Sequence, residues 1–109
     1  MPYQSINPAT AEVLQKFENH TDDQMMKALA FADSTYRESW SVASYKERAK
    51  YIGKAAAFML EQKEALARIA TLEMGKRISE SRGEVELSAA IVKYYADNAE
   101  KFLADRALH

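Results

Sequence analysis

Two apolar stripes run along one predicted helix from about Ile78 to Leu103, and this limits the possible folds more than any other feature. Val85, Ser88, Ala89, Val92, Tyr95, Ala99 and Phe102 follow helical spacing along one side. Leu87, Ala90, Ile91 and Tyr94 lie off that stripe and face outward if it packs on other helices. A helix that is apolar nearly all round belongs inside a larger protein or against a partner. Phe31, Tyr51 and Phe58 extend the pattern in milder form to the preceding helices. Left together, such residues expose an apolar patch on the order of several hundred Å², more than monomers ordinarily show. The alternative is a tight bundle of four helices and a hairpin that covers these side chains itself.

The remainder of the chain divides by periodicity. Tyr3-Gln4-Ser5-Ile6, a turn through Asn7-Pro8-Ala9-Thr10, and Glu12 to Phe17 in partial alternation predict a β-hairpin within residues 1–20. Residues 21–109 read as helical. Thr21 with Gln24 has capping-box spacing and opens a first helix with the stripe Met25, Leu29, Ala32, Tyr36 and Trp40. Ser44 with Glu47 repeats that spacing before a second helix whose buried candidates are Ala49, Ile52, Ala56, Met59 and Leu60. A third, from about Lys63 to Met74, carries Leu66, Ile69, Ala70 and Leu72, and Gly75 is placed to end it in a left-handed conformation. The fold class is therefore mainly α, one unit over 1–109, with an amino-terminal hairpin and about four helices.

Composition excludes several function classes. At 109 residues the chain is the size of one small domain, and 15 Lys and Arg against 16 Asp and Glu alternate without forming a basic stripe, which disfavours nucleic acid as a partner. No apolar run approaches the roughly 20 residues that cross a bilayer, so no membrane partner is expected. Met1 to Ile6 lacks the pattern of a secretory signal, and the default address is the cytoplasm. There is no cysteine, hence no disulfide and no thiolate ligand or nucleophile.

Chemistry-bearing motifs are sparse. Gly53, Gly75 and Gly83 lack the spacing that wraps a pyrophosphate. Gly75-Lys76 resembles the end of a phosphate loop, but Arg77 stands where a magnesium-binding Ser or Thr is required; a helix cap explains it better. His20 and His109 have no flanking ligands at metal spacing. Asp22-Asp23 and Glu84 with Glu86 read as dipole complements and solvated faces, and Ser79, Ser81 and Ser88 have no histidine base within their helix. Catalytic, cofactor-binding and metal-ligating residues are thus expected to number none.

Ser5-Ile6-Asn7-Pro8-Ala9-Thr10, Glu12-Val13-Leu14, Trp40, Glu47-Arg48-Ala49, Thr71-Leu72-Glu73-Met74-Gly75-Lys76, Arg82-Gly83-Glu84-Val85-Glu86 and Tyr94-Tyr95-Ala96-Asp97-Asn98-Ala99-Glu100 stand in one order and spacing. Together they resemble the amino-terminal segment of NAD(P)-dependent aldehyde dehydrogenases, closest to the bacterial succinate-semialdehyde branch. The resemblance covers nearly every residue. It implies a fragment of an incomplete α/β fold, the amino-terminal part of a dinucleotide-binding domain in a homo-oligomeric oxidoreductase of several hundred residues.

In such a parent a downstream cysteine thiolate attacks the aldehyde, hydride passes to NAD or NADP, and a glutamate activates the water that releases the acid. This chain holds neither that cysteine nor the cofactor loop, so the resemblance implies a structural role, with no cofactor bound here and the remainder of the enzyme as partner. A rival reading is a free-standing helical interaction or dimerisation module without enzymatic activity. The resemblance also places Leu87 and Ile91 near the mouth of the substrate tunnel, or with Tyr94 on an interdomain surface. Two positions depart from the family pattern: Ala11 and Arg77 stand where glycine and proline are usual. If the first needs a positive φ, alanine costs about 1 kcal/mol there.

Overall fold

β-favouring residues on either side of an Asn-Pro turn fold the amino end back on itself. In the computed structural model, which describes residues 3–108, β1 (Tyr3–Ile6) pairs antiparallel with β2 (Val13–Phe17), setting Tyr3 opposite Phe17 and Ile6 opposite Val13. The Asn7 side chain accepts from Ala9 N–H, Ala11 N–H donates to the Asn7 carbonyl, and Asn7 N–H donates to the Glu12 carbonyl. Glu12 therefore belongs to the turn and not to the strand; its carboxylate also accepts from the Thr10 hydroxyl at 3.0 Å. Ala11 has φ 62°, so this position does need the left-handed region, where alanine is strained and glycine is not.

Both capping boxes form. Thr21 caps α1 (Asp22–Thr35) with Gln24, and Ser44 caps α2 (Tyr45–Glu61) with Glu47. α3 spans Lys63–Met74 and ends at Gly75, whose φ of 73° lets its N–H turn back to the Thr71 carbonyl. α4 spans Ile78–Phe102. The first helix differs from expectation, because Tyr36–Trp40 continues it as a π-helical turn. Here the hydroxyls of Ser34 and Thr35 both donate to the Phe31 carbonyl, that of Ser39 to Thr35 and that of Ser41 to Arg37. Such back-bonding competes with the regular ladder and widens it locally.

α2 and α3 both pack on α4, and the hairpin turn rests on the end of α3, where Pro8 Cγ lies 3.1 Å from the position a Gly75 Cβ would take. The seam is built from small residues: Ala56, Ala67, Ala89 and Ser81 are the buried ones, and the Ser81 hydroxyl meets that of Thr71 at 3.0 Å. Arg82 grips Glu64 through two nitrogens, and Lys63 pairs with Glu86, across the α3–α4 seam. These pairs are solvent-exposed and set register more than they add stability.

The large side chains named from the stripes are mostly uncovered. Met25 and Leu29 are 59% and 63% exposed, and Ile52, Leu60, Ile69, Tyr95 and Phe102 are exposed as well. α1 makes no substantial packing against α2, α3 or α4. The radius of gyration is 18.9 Å, where a compact chain of this length has about 13 Å. The accessible surface is 9380 Å² for 12.3 kDa, where a folded monomer of that mass exposes about 6,100 Å². The self-covering bundle is overturned: the helices meet along a line of alanines, so their bulky residues flank the seam without closing over it.

Candidate functional site

Successive steps of four and three bring Leu87, Ile91 and Tyr94 within a roughly 60° arc of α4. All three point away from the seam, at 61%, 48% and 55% exposure. Tyr94 stands edge-on to Tyr95 with ring centroids 5.5 Å apart and lies 5.9 Å from Phe102, so aromatic packing extends this face toward the helix end. On the adjoining side, Ile52, Ala49 and Tyr45 of α2 face Tyr95, Ala99 and Phe102 of α4 across an almost wholly apolar groove of about 390 Å³. The candidate residues therefore belong to a continuous apolar surface that also takes in the groove, which the stripe reading assigns to the core.

The polar groups of the chain are spent on local structure. A hydrogen bond from the Ser44 backbone, then one from its side chain, holds the Glu47 carboxyl below the usual range. The Arg82 guanidinium does the same for Glu64, and Glu64 in turn raises Arg82. Ser81 is buried against Thr71, an arrangement for packing and not for nucleophilic attack. His20 lies in a shallow hollow with Tyr3, Asn19 and Met25. His109 lies outside the described residues. Among the described residues no three His, Cys, Asp or Glu side chains gather as metal ligands, and no helix is long and apolar enough to cross a membrane.

A dinucleotide does not fit the glycines present. Gly53 and Gly83 lie inside α2 and α4, and the N–H of Gly75 is turned to Thr71, so none offers free backbone donors to a pyrophosphate. What the site offers a ligand is area and apolarity, which suits a protein surface.

The sequence pattern of the aldehyde dehydrogenase family matches residues 1–109, the whole chain. The chain belongs to the aldehyde dehydrogenase family. A succinate-semialdehyde dehydrogenase [NADP(+)] of Deinococcus radiodurans is 36% identical over 107 residues, which are 98% of this chain and 22% of that protein. The crystal structure of succinic semialdehyde dehydrogenase from Streptococcus pyogenes in complex with NADP+ superposes with a TM-score of 0.90 at 37% identity, over 98% of this chain and 24% of that one. Betaine aldehyde dehydrogenase from Staphylococcus aureus, in complex with NAD+, gives 0.82 at 28% identity over 93% of this chain and 21% of its own. The chain spans about a quarter of the length of the relatives it matches. A hairpin followed by four helices is thus one piece of an aldehyde dehydrogenase fold, as the sequence implies.

Proposed function

We propose that this chain is the amino-terminal structural segment of an NAD(P)-dependent aldehyde dehydrogenase of the succinate-semialdehyde class, which oxidises an aldehyde to a carboxylic acid, and that it acts by docking on the rest of that enzyme. Leu87, Ile91 and Tyr94 belong to the docked surface, between this segment and the substrate-bearing remainder. Thiolate attack and hydride transfer fall to residues of the remainder, since these 109 residues contain no cysteine.

The uncovered surface carries this reading. The excess over a compact monomer is roughly 3,000 Å² on one chain, whereas a standard interface covers about 800 Å² per partner. A symmetric pair joined through α4 leaves most of that excess exposed, which disfavours the free-standing dimerisation module. A body about three times the size of this chain, touching the hairpin, α1 and both sides of α4, matches it. The homologues' cofactor names support a nicotinamide dinucleotide for the parent without deciding between NADP and NAD.

The test is complementation. A succinate-semialdehyde dehydrogenase lacking the matching quarter is mixed with this chain, and aldehyde-dependent NAD(P)H formation is followed. Restored activity that saturates with added chain is the expected result. Activity from this chain alone, proportional to its concentration, overturns the structural assignment; no recovered turnover and no complex between the two pieces overturns the docking role.

A further inference from the structure

The helical rod from α1 through the π-helical turn leaves the α2–α4 body at one joint, Ser41 to Ser44. α1 itself makes no substantial packing on those helices, and next to the joint the rod meets α2 only near its end, where the Trp40 ring lies 6.2 Å from that of Tyr51, so its direction is set at and beside the joint. Two consecutive side chains of the first turn of α2 hold it. The Glu47 carboxylate accepts from the Ser44 N–H at 2.9 Å and from the Ser44 hydroxyl at 3.0 Å. The Arg48 Nε donates to the Ala43 carbonyl at 3.1 Å, and its Nη2 reaches the Ser41 carbonyl at 3.4 Å. The guanidinium also lies over two rings, 5.5 Å from the centroid of Trp40 and 5.7 Å from that of Tyr45. Trp40 is the last residue of the rod and Tyr45 the first of α2, so one cation ties both sides of the joint.

We propose that Arg48 is a positioning residue that aims the α1 rod, holding it at one angle to the body. The geometry gives the effect leverage. The rod from Asp22 to Trp40 is about 28 Å long, so a 20° swing at the joint moves its tip by about 10 Å. Only arginine among the basic side chains offers a flat cation that stacks on rings while its fork reaches two carbonyls. Under the docking reading above, a rod held at one angle meets its partner without paying to be oriented; the aiming itself is a property of this chain and stands or falls separately.

Freedom from cysteine makes the measurement direct. Spin labels at Lys27→Cys on α1 and Glu61→Cys on α2 report the rod angle by pulsed dipolar spectroscopy, and a second pair at Glu61→Cys and Lys93→Cys reports α2 against α4. The parent sequence is expected to give one narrow distance for each pair. Arg48→Met is expected to broaden the α1–α2 distribution roughly twofold or to displace it, because the joint loses both hydrogen bonds and the stacking cation. The α2–α4 distance and the helix content by circular dichroism stay as they were. Arg48→Lys, which keeps the charge and loses the fork, is expected to broaden it too and serves if the methionine variant does not fold. An unchanged α1–α2 distribution in a folded variant overturns the proposal, and so does equal broadening of both pairs, since that marks general loosening. No aldehyde dehydrogenase reagent enters, so failed complementation leaves this result intact.

Discussion

Leu87→Ala separates docking from folding. Burying a leucine fully contributes about 1.5–3 kcal/mol relative to leaving it in water. Leu87 stands 61% exposed in this chain, so completing its burial against a partner is worth about 1–2 kcal/mol. Truncation should then weaken binding to the complementary segment about 5–30-fold. The folded chain itself gives up less, because only the smaller, already covered part of the side chain contributes to its own stability; its unfolding free energy should move by no more than about 1 kcal/mol. Titration calorimetry or fluorescence anisotropy gives the first quantity and urea unfolding the second. A variant that binds as tightly as the parent sequence, or one that loses more than about 1 kcal/mol of its own stability, refutes the assignment of this face to a partner.

Two backbone sites with nearly the same φ carry opposite expectations. Ala11→Gly relieves about 1–2 kcal/mol of left-handed strain against 0.4–1 kcal/mol of added chain freedom when unfolded, so amide exchange at Asn7 N–H should slow about 2–5-fold. Gly75→Ala imposes that strain and sets a methyl 3.1 Å from Pro8 Cγ; urea unfolding should show about 1–2 kcal/mol of lost stability. The depressed Glu47 and Glu64 carboxyls bind fewer protons folded than unfolded. Their contribution is therefore fully present above the ordinary glutamate range and is lost as pH falls through their lowered values. Melting temperature measured down through the acid range should fall there, and Glu47→Gln with Glu64→Gln should flatten that fall.

What the sequence makes legible here is whatever depends on near neighbours. The capping pairs Thr21 with Gln24 and Ser44 with Glu47, the left-handed Gly75 and the limits of α3 and α4 follow from side chains within four residues of each other, and all appear in the structure. The π-helical turn escaped because it depends on four hydroxyls bonding backward together, and no single serine or threonine announces that. Spacing locates the apolar stripes correctly but does not say which stripe meets which helix. Ala67 and Ser81 proved more buried than Leu66 or Ile69, since close helix approach selects small side chains at the contact line. Of the candidate face, Leu87, Ile91 and Tyr94 were legible as an outer stripe, whereas the groove formed with Ile52 and Tyr45 required knowing how α2 crosses α4. Arg48 stood in the sequence as part of Glu47-Arg48-Ala49, one of the motifs carrying the family resemblance, beside a capping glutamate and with Trp40 eight residues earlier, but without a sign of the joint it spans.

Docking of this chain and ordering of its hairpin should be one process, and heat capacity tests that. A two-stranded hairpin is marginal in water, and here β1–β2 leans only lightly on the body, through α3. The hairpin gains its missing neighbours when the uncovered face is covered. If roughly 3,000 Å² of this chain is buried with an equal area of its partner, and about 60% of it is apolar, apolar and polar hydration together give a heat-capacity change of about −1 kcal/mol/K. Ordering of the hairpin adds to that figure. Calorimetric titrations of the complementary segment at several temperatures read it as the slope of binding enthalpy. A slope several times smaller means that association uses only a polar rim, and the apolar face on α4 would then need an occupant other than the rest of an aldehyde dehydrogenase.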